Sequence, residues 1–204
     1  MNEVEIANGC AKAPAGTWLT AVNQPAAVSG ECRLSALKGF LVPDRGFLRT
    51  AQAAGEIYCS SSDHPFLSRI DVPPDENVAV VSKKMLIAPA SSRVGAKNIR
   101  PIPMSFRYAT IVTEFRSGWA VTATRGRVSR VALEDGSVLS VRPEALVAWI
   151  GKNPTGFIRR LRAVDFFVPR LPGGLVFNFY GPGVVWFEGA AAPAEMVRKL
   201  RASF

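Results

Sequence analysis

Two stretches of the chain repeat one another, and this repeat limits the fold more than any other feature. Residues 68–90 read SRIDVPPDENVAVVSKKMLIAPA, and residues 129–150 read SRVALEDGSVLSVRPEALVAWI. With one of Pro73 and Pro74 dropped, they align at an offset of 60–61 residues. Ser68 then matches Ser129, Arg69 matches Arg130, Asp75 matches Asp135, Val78 matches Val138, Val81 matches Val141, Leu86 matches Leu146 and Ala88 matches Ala148. The repeated unit has a physical logic. A strand meets an acidic turn (PPDEN or EDG), and a second strand follows (VAVV or VLSV). A polar step (SKK or RPE) then leads to an apolar run, MLIA or LVAW. Asp-Gly and Asn-containing turns tolerate positive φ and commonly join antiparallel strands. The final run does not alternate, which predicts burial on both faces, and packing sheet against sheet is the way to achieve it.

The flanks support an all-β reading. FRYATIVTEF (106–115) is β-branched and aromatic, WAVTATRGRV (119–128) alternates around Arg125-Gly126, and LVFNFYGPGVVWFEG (175–189) reads as two aromatic-rich strands joined at Gly181-Pro182-Gly183 by a hairpin turn. Seventeen Gly and 15 Pro suit many short strands, and 48% hydrophobic residues are enough for a core. The expected fold is therefore all-β, a double-stranded β-helix or two-sheet β-sandwich with internal duplication. At least about twelve strands are expected. Residues 1–204 form a single domain in this reading. Residues 1–30 make an irregular arm, 31–128 and 129–190 make related halves, and 193–204 make a short C-terminal helix. In that helix Met196, Val197 and Leu200 share a face, with Arg198, Lys199 and Arg201 opposite.

The segment RGRVSRVALEDGSVLSVRPEALVAW (125–149) resembles the strand–turn–strand pattern of the mitochondrial-biogenesis family named "altered inheritance of mitochondria twenty-four", and GLVFNFYGPGVVWFEG (174–189) is similar to that family's closing strands. The resemblance covers about residues 56–190 and lies in hydrophobics and turns. It implies a double-stranded β-helix of the kind shared with the tryptophan RNA-binding attenuation protein. It also implies no catalytic signature.

No residue constellation announces chemistry. The single histidine, His64, excludes a multi-histidine metal centre, because imidazole is the usual ligand for Fe, Cu and Zn in such barrels. His64 lies in CSSSDHPF, where Ser, Asp and Pro read as a turn rather than a triad, whose partners usually meet through the fold. Gly181-Pro182-Gly183 precedes no helix and is not a phosphate loop. Cys10, Cys32 and Cys59 have no CxxC spacing and read as reduced thiols. No cofactor or metal is expected.

Charge points to a partner. Residues 83–170 carry 16 Lys+Arg against 5 Asp+Glu, a net of +11, whereas 1–82 carry 6 against 9, a net of −3. Within the basic stretch, GFIRRLRAVDFFVPR places Arg159, Arg160, Arg162 and Arg170 among Phe157, Phe166 and Phe167, a pattern that can hold a polyanion. The alternative is a solvated basic face over a phenylalanine core. No apolar run is long enough to span a bilayer, and the acidic start MNEVEIANGC lacks the marks of a secretory signal or transit peptide, so a cytoplasmic location is expected. Three readings follow. The first is a non-enzymatic homo-oligomeric scaffold or binding protein. The second is a binder of nucleic acid or of an anionic membrane surface. The third is a small-molecule-binding or enzymatic barrel without a metal.

Overall fold

The computed structural model describes residues 4–20, 26–42, 46–99, 110–158 and 175–189. Among them are seventeen strands and two short 3-10 turns, 82–84 and 90–92, so the all-β expectation holds. The helix expected at 193–204 lies outside the described residues.

Strand pairing follows one scheme three times. The first unit contains β2 (Cys10–Ala13), β3 (Gly16–Thr20), β4 (Ala27–Val28), β5 (Cys32–Val42), β6 (Gly46–Ala53) and β7 (Ile57–Ser60). There β2 pairs with β7, β3 with β6, β4 with β7 and β5 with β6, all antiparallel. The third unit contains β12 (Val128–Leu133), β13 (Val138–Val141), β14 (Leu146–Gly151), β15 (Thr155–Ile158), β16 (Leu175–Tyr180) and β17 (Gly183–Glu188). Its pairs are β12·β17, β13·β16, β14·β17 and β15·β16, the same scheme. In the second unit two long strands each play two parts. β8 (Phe66–Val81) supplies the first and second positions, and β11 (Thr110–Thr124) supplies the fifth and sixth. β9 (Met85–Pro89) and β10 (Arg93–Ile99) fill the rest. The remaining strand, β1 (Glu5–Ala7), flanks β2.

The duplication seen in the sequence is thus the last two-thirds of a triplication. Residues 5–20, read from composition as part of an irregular arm, carry β1 to β3, because pairing with β6 and β7 outweighs weak local strand preference. The alignment also changes. Pairing equates Val72 with Leu133, Asn77 with Val138 and Ile87 with Ala148, a constant offset of 61 with no proline dropped. A slip of one residue reverses every side chain's facing. Val78 therefore corresponds to Leu139 and not to Val138, and Val138 is 55% exposed while Val78 is fully buried.

The acidic segments are corners and not hairpins. β12 and β13 do not pair with each other. They run on across Glu134–Ser137, where Gly136 takes φ +77° and the Ser137 amide donates to the Glu134 carbonyl at 3.0 Å. In the second unit the chain stays extended through Pro73–Glu76, four residues bulging opposite Ser117 alone. Two prolines favour extended backbone and supply no positive φ, so a tight turn does not form. Residues 181–182, expected as a hairpin tip, are the matching corner on the partner strands, since β16 and β17 also do not pair with each other. The two corners touch: a Cβ built on Gly181 would lie 1.9 Å from the Glu134 carbonyl oxygen. Gly181→Ala is expected to lower the unfolding free energy by roughly 3 kcal/mol, because backbone and not a flexible side chain must move. Urea denaturation measures it, and a loss below about 0.5 kcal/mol would show that the corner yields easily.

At each corner the chain passes from one sheet to the next, so sheets stack in sequence. β1-β2-β7-β4 is the first sheet. The ten-stranded path β12-β17-β14-β8-β11-β9-β3-β6-β5, with β10 on β11, folds at the bends of β8 and β11 into a second and a third sheet. The fourth is β13-β16-β15. Three cores fill the interfaces. Trp18, Ala51, Ile57, Cys59, Trp119 and Val121 lie between the first and second sheets. Ile70, Val78, Val80, Phe115, Ala120 and Trp186 lie between the second and third. Val141, Leu146, Trp149, Phe177 and Phe179 lie between the third and fourth. Along β11, Trp119 and Val121 face one core and Ala120 the other, as strand alternation requires. The apolar runs MLIA and LVAW are buried on both faces, as their lack of alternation predicts.

Candidate functional site: the joints between units

Neighbouring units are joined by one antiparallel pairing. The second strand of a unit bonds to the third strand of the next: β3 to β9 at the first joint and β8 to β14 at the second. The two joints have diverged, and the polar and aromatic side chains of interest collect there.

At the first joint a groove of about 510 Å³ opens between β3 and the bend of β11. Its wall includes Trp18, Trp119 and Pro89, with Thr17, Ser91, Ser92 and Ser117 supplying hydroxyls. The indoles stand 5.5 Å apart at 35°, and Trp18 Nε1 donates to the Pro14 carbonyl at 3.0 Å. Arg69 lies over the Trp119 ring at 5.7 Å and is held by Asp71 at 2.7 Å. Its repeat partner Arg130 lies likewise over Trp186, at 5.8 Å. The corresponding place at the second joint is closed by backbone. There a Cβ on Gly183 would sit 2.5 Å from the Ile150 carbonyl, and one on Gly151 would sit 2.9 Å from that of Pro182. Apolar walls with a few hydroxyls suit a flat, neutral group.

The second joint carries a buried ion pair instead. Lys84, only 5% exposed, donates from Nζ to Glu188 Oε1 at 2.7 Å and to the Glu144 carbonyl. Glu188 Oε2 accepts from the Arg125 amide at 3.0 Å. The pair ties the 82–84 turn of the second unit to the last strand of the third. Burial pushes the Lys84 ammonium down to about 8, against the opposing pull of Glu188. Nearby, the buried hydroxyls of Ser82 and Thr113 lie 2.9 Å apart. In sequence Lys84 sits within an ordinary polar triplet, and nothing in its neighbours marks it as buried.

The other candidates are placed as follows. Cys59 is buried, which raises its thiol to about 12 and makes it a poor nucleophile, and all three cysteines are free thiols. His64 lies in the loop joining the first and second units, where the Ser62 hydroxyl donates to Asp63 at 3.4 Å. Among the described residues no group of three or more His, Cys, Asp or Glu is arranged to hold a metal ion. Arg116, Arg125, Arg127, Arg130, Arg142 and Lys152 are exposed on the second and third units. Arg159, Arg160, Arg162 and Arg170 lie outside the described residues. Among the described residues no helix is long and apolar enough to cross a membrane.

No family model and no curated protein matches the sequence. Among solved structures, the crystal structure of a Streptococcus pyogenes protein superposes with a TM-score of 0.70 at 12% identity, over 100% of this chain and 99% of that one. The likeness concerns the fold alone, and it spans both chains end to end.

Proposed function

We propose that this protein is a non-enzymatic, oligomeric β scaffold or binding protein, related to the mitochondrial-biogenesis family that residues 56–190 resemble and sharing that family's attenuation-protein-like β-helix. The observation that carries the reading is that, among the described residues, the stack of sheets ends on a four-stranded and a three-stranded sheet with β4 and β13 as outer strands. Open edges invite a further chain. The groups at the joints fit this reading, since Lys84, Glu188, Arg69 and Asp71 engage one another or the core. Light scattering on the purified chain tests it. A stable oligomer is expected, and a strict monomer at every concentration would overturn it.

A second reading is favoured by the exposed arginines where the second unit passes into the third, Arg125, Arg127 and Arg130, within the basic part of the chain. On that reading the scaffold presents a basic face to RNA, DNA or an anionic membrane, with Arg159, Arg160, Arg162 and Arg170 adding to it. Affinity for a single-stranded RNA should then fall by about two decades or more between 50 and 200 mM salt. Absence of binding at the lower salt would remove it.

A further inference from the structure

We infer that copies of this chain join head to tail, with β13 of one copy pairing antiparallel to β4 of the next, so that two incomplete sheets become one complete sheet of the kind the chain builds twice within itself. The inference rests on the oligomeric reading above and specifies its interface.

Each interior sheet has six strand segments in one order. The second sheet runs β5, β6, β3, then β9, the second half of β11 and the first half of β8. The third runs β10, the first half of β11, the second half of β8, then β14, β17 and β12. In both, one unit contributes its fifth, second and fourth strands, and the following unit contributes its third, sixth and first. The fourth sheet, β15-β16-β13, is the first kind of half. The first sheet, β4-β7-β2 with β1 added at its far side, is the second kind. The strands that would meet, β13 and β4, are the outer strands of their sheets among the described residues.

The register follows from the two internal joints. Trp18 faces Pro89 and Leu19 faces Ala88 at the first; Val78 faces Ile150 and Ala79 faces Trp149 at the second. Leu139 occupies the place of Val78 under the constant offset. Ala27 occupies the place of Ile150, because each pairs one residue beyond the first rung of the sixth strand: Ile150 with Val184 after Gly183, and Ala27 with Tyr58 after Ile57. Leu139 of one copy therefore faces Ala27 of the next, with Ser140 opposite Ala26 and Val138 opposite Val28. The side chains suit this. Val138 is an exposed apolar residue on an open edge, and Ala26 and Ala27 are small, exposed and uncharged. Such a contact joins two different surfaces, so it builds rings or filaments and not a twofold dimer.

Mixing an Ala26→Cys chain with a Ser140→Cys chain tests the register, because directly opposed residues bring their Cβ atoms within about 5.5 Å. Light scattering is measured alongside, and a short thiol crosslinker is followed by mass-spectrometric mapping that separates the new thiols from Cys10, Cys32 and Cys59. The expected result is a 26–140 adduct between different chains, absent from either variant alone, and a ladder of covalent multimers from the double variant. An oligomer that forms without this adduct overturns the inference and leaves the scaffold reading standing. A monomer at every concentration overturns both.

Discussion

Replacing Lys84 with alanine should cost about 3–5 kcal/mol of stability, the loss typical of breaking a buried ion pair from one side. The variant leaves the Glu188 carboxylate at the second joint, among the described residues, with the Arg125 amide as its remaining donor. It also leaves the Glu144 carbonyl without its ammonium partner. Removing both charges together, in Lys84→Met/Glu188→Met, should restore most of the loss, since an apolar pair of similar volume often does as well as a buried ion pair. The pH dependence has a definite sign. The ammonium titrates near 8 in the folded chain and near 10.5 when unfolded. Between those values the unfolded state holds more protons, so this group makes the folded protein more stable as pH rises. The wild type's advantage over Lys84→Met should therefore widen from pH 7 to pH 10. Guanidinium titrations at the two pH values measure it, and a constant or narrowing difference would place the lysine in a more polar setting.

The second large effect is expected at Trp119. It is 1% exposed, with the Trp18 ring 5.5 Å away and the Arg69 guanidinium over its own ring at 5.7 Å. Trp119→Ala should lower stability by about 3–5 kcal/mol, combining lost apolar transfer with the cavity left behind. Collapse is limited, because the residue joins the first and second units and its neighbours belong to different sheets. The same substitution should deepen the groove it lines, so a small neutral aromatic compound should bind the variant more tightly than the wild type. Calorimetry with such a probe reads this second effect. Phe66→Ala provides the control, since Phe66 is 41% exposed and its loss should stay well below that of Trp119, at about 1 kcal/mol.

These two positions differ in how far the sequence revealed them. Trp119 lies in a β-branched, aromatic run, and its burial follows from strand alternation. Lys84 does not stand out, because burial of a lysine depends on a partner more than 100 residues away. The repeat was legible ahead of the prolines, as at Ser68/Ser129 and Arg69/Arg130, where the offset of 61 is kept and each arginine lies over a tryptophan ring. Its register was misread beyond the prolines, because Val78 and Val138 look alike and only the facing of the strand separates them. The corners were read as hairpins for a related reason. A turn sequence such as EDG tells where the chain bends, whereas which strands then pair is decided by β16 and β17, some 40 residues away. The first unit was legible only in its later strands, within the β half expected over residues 31–128; its first strands fell in the expected irregular arm, where the third strand is two residues long. The groove at the first joint left no local trace, because it arises where two units have drifted from a shared pattern.

The dual membership of β8 and β11 has a consequence for how the molecule comes apart. In a row of self-contained repeats, an end can fray while the remainder stays folded. Here each long strand of the second unit is a rung of two sheets, and each flanking unit is bonded to it through β3 or β14. Detaching the first unit strips β9 of a neighbour, and detaching the third strips β8. The central unit therefore acts as a common hinge pin for both flanks. Loss of structure at either end weakens the middle, and the middle cannot open without releasing both ends.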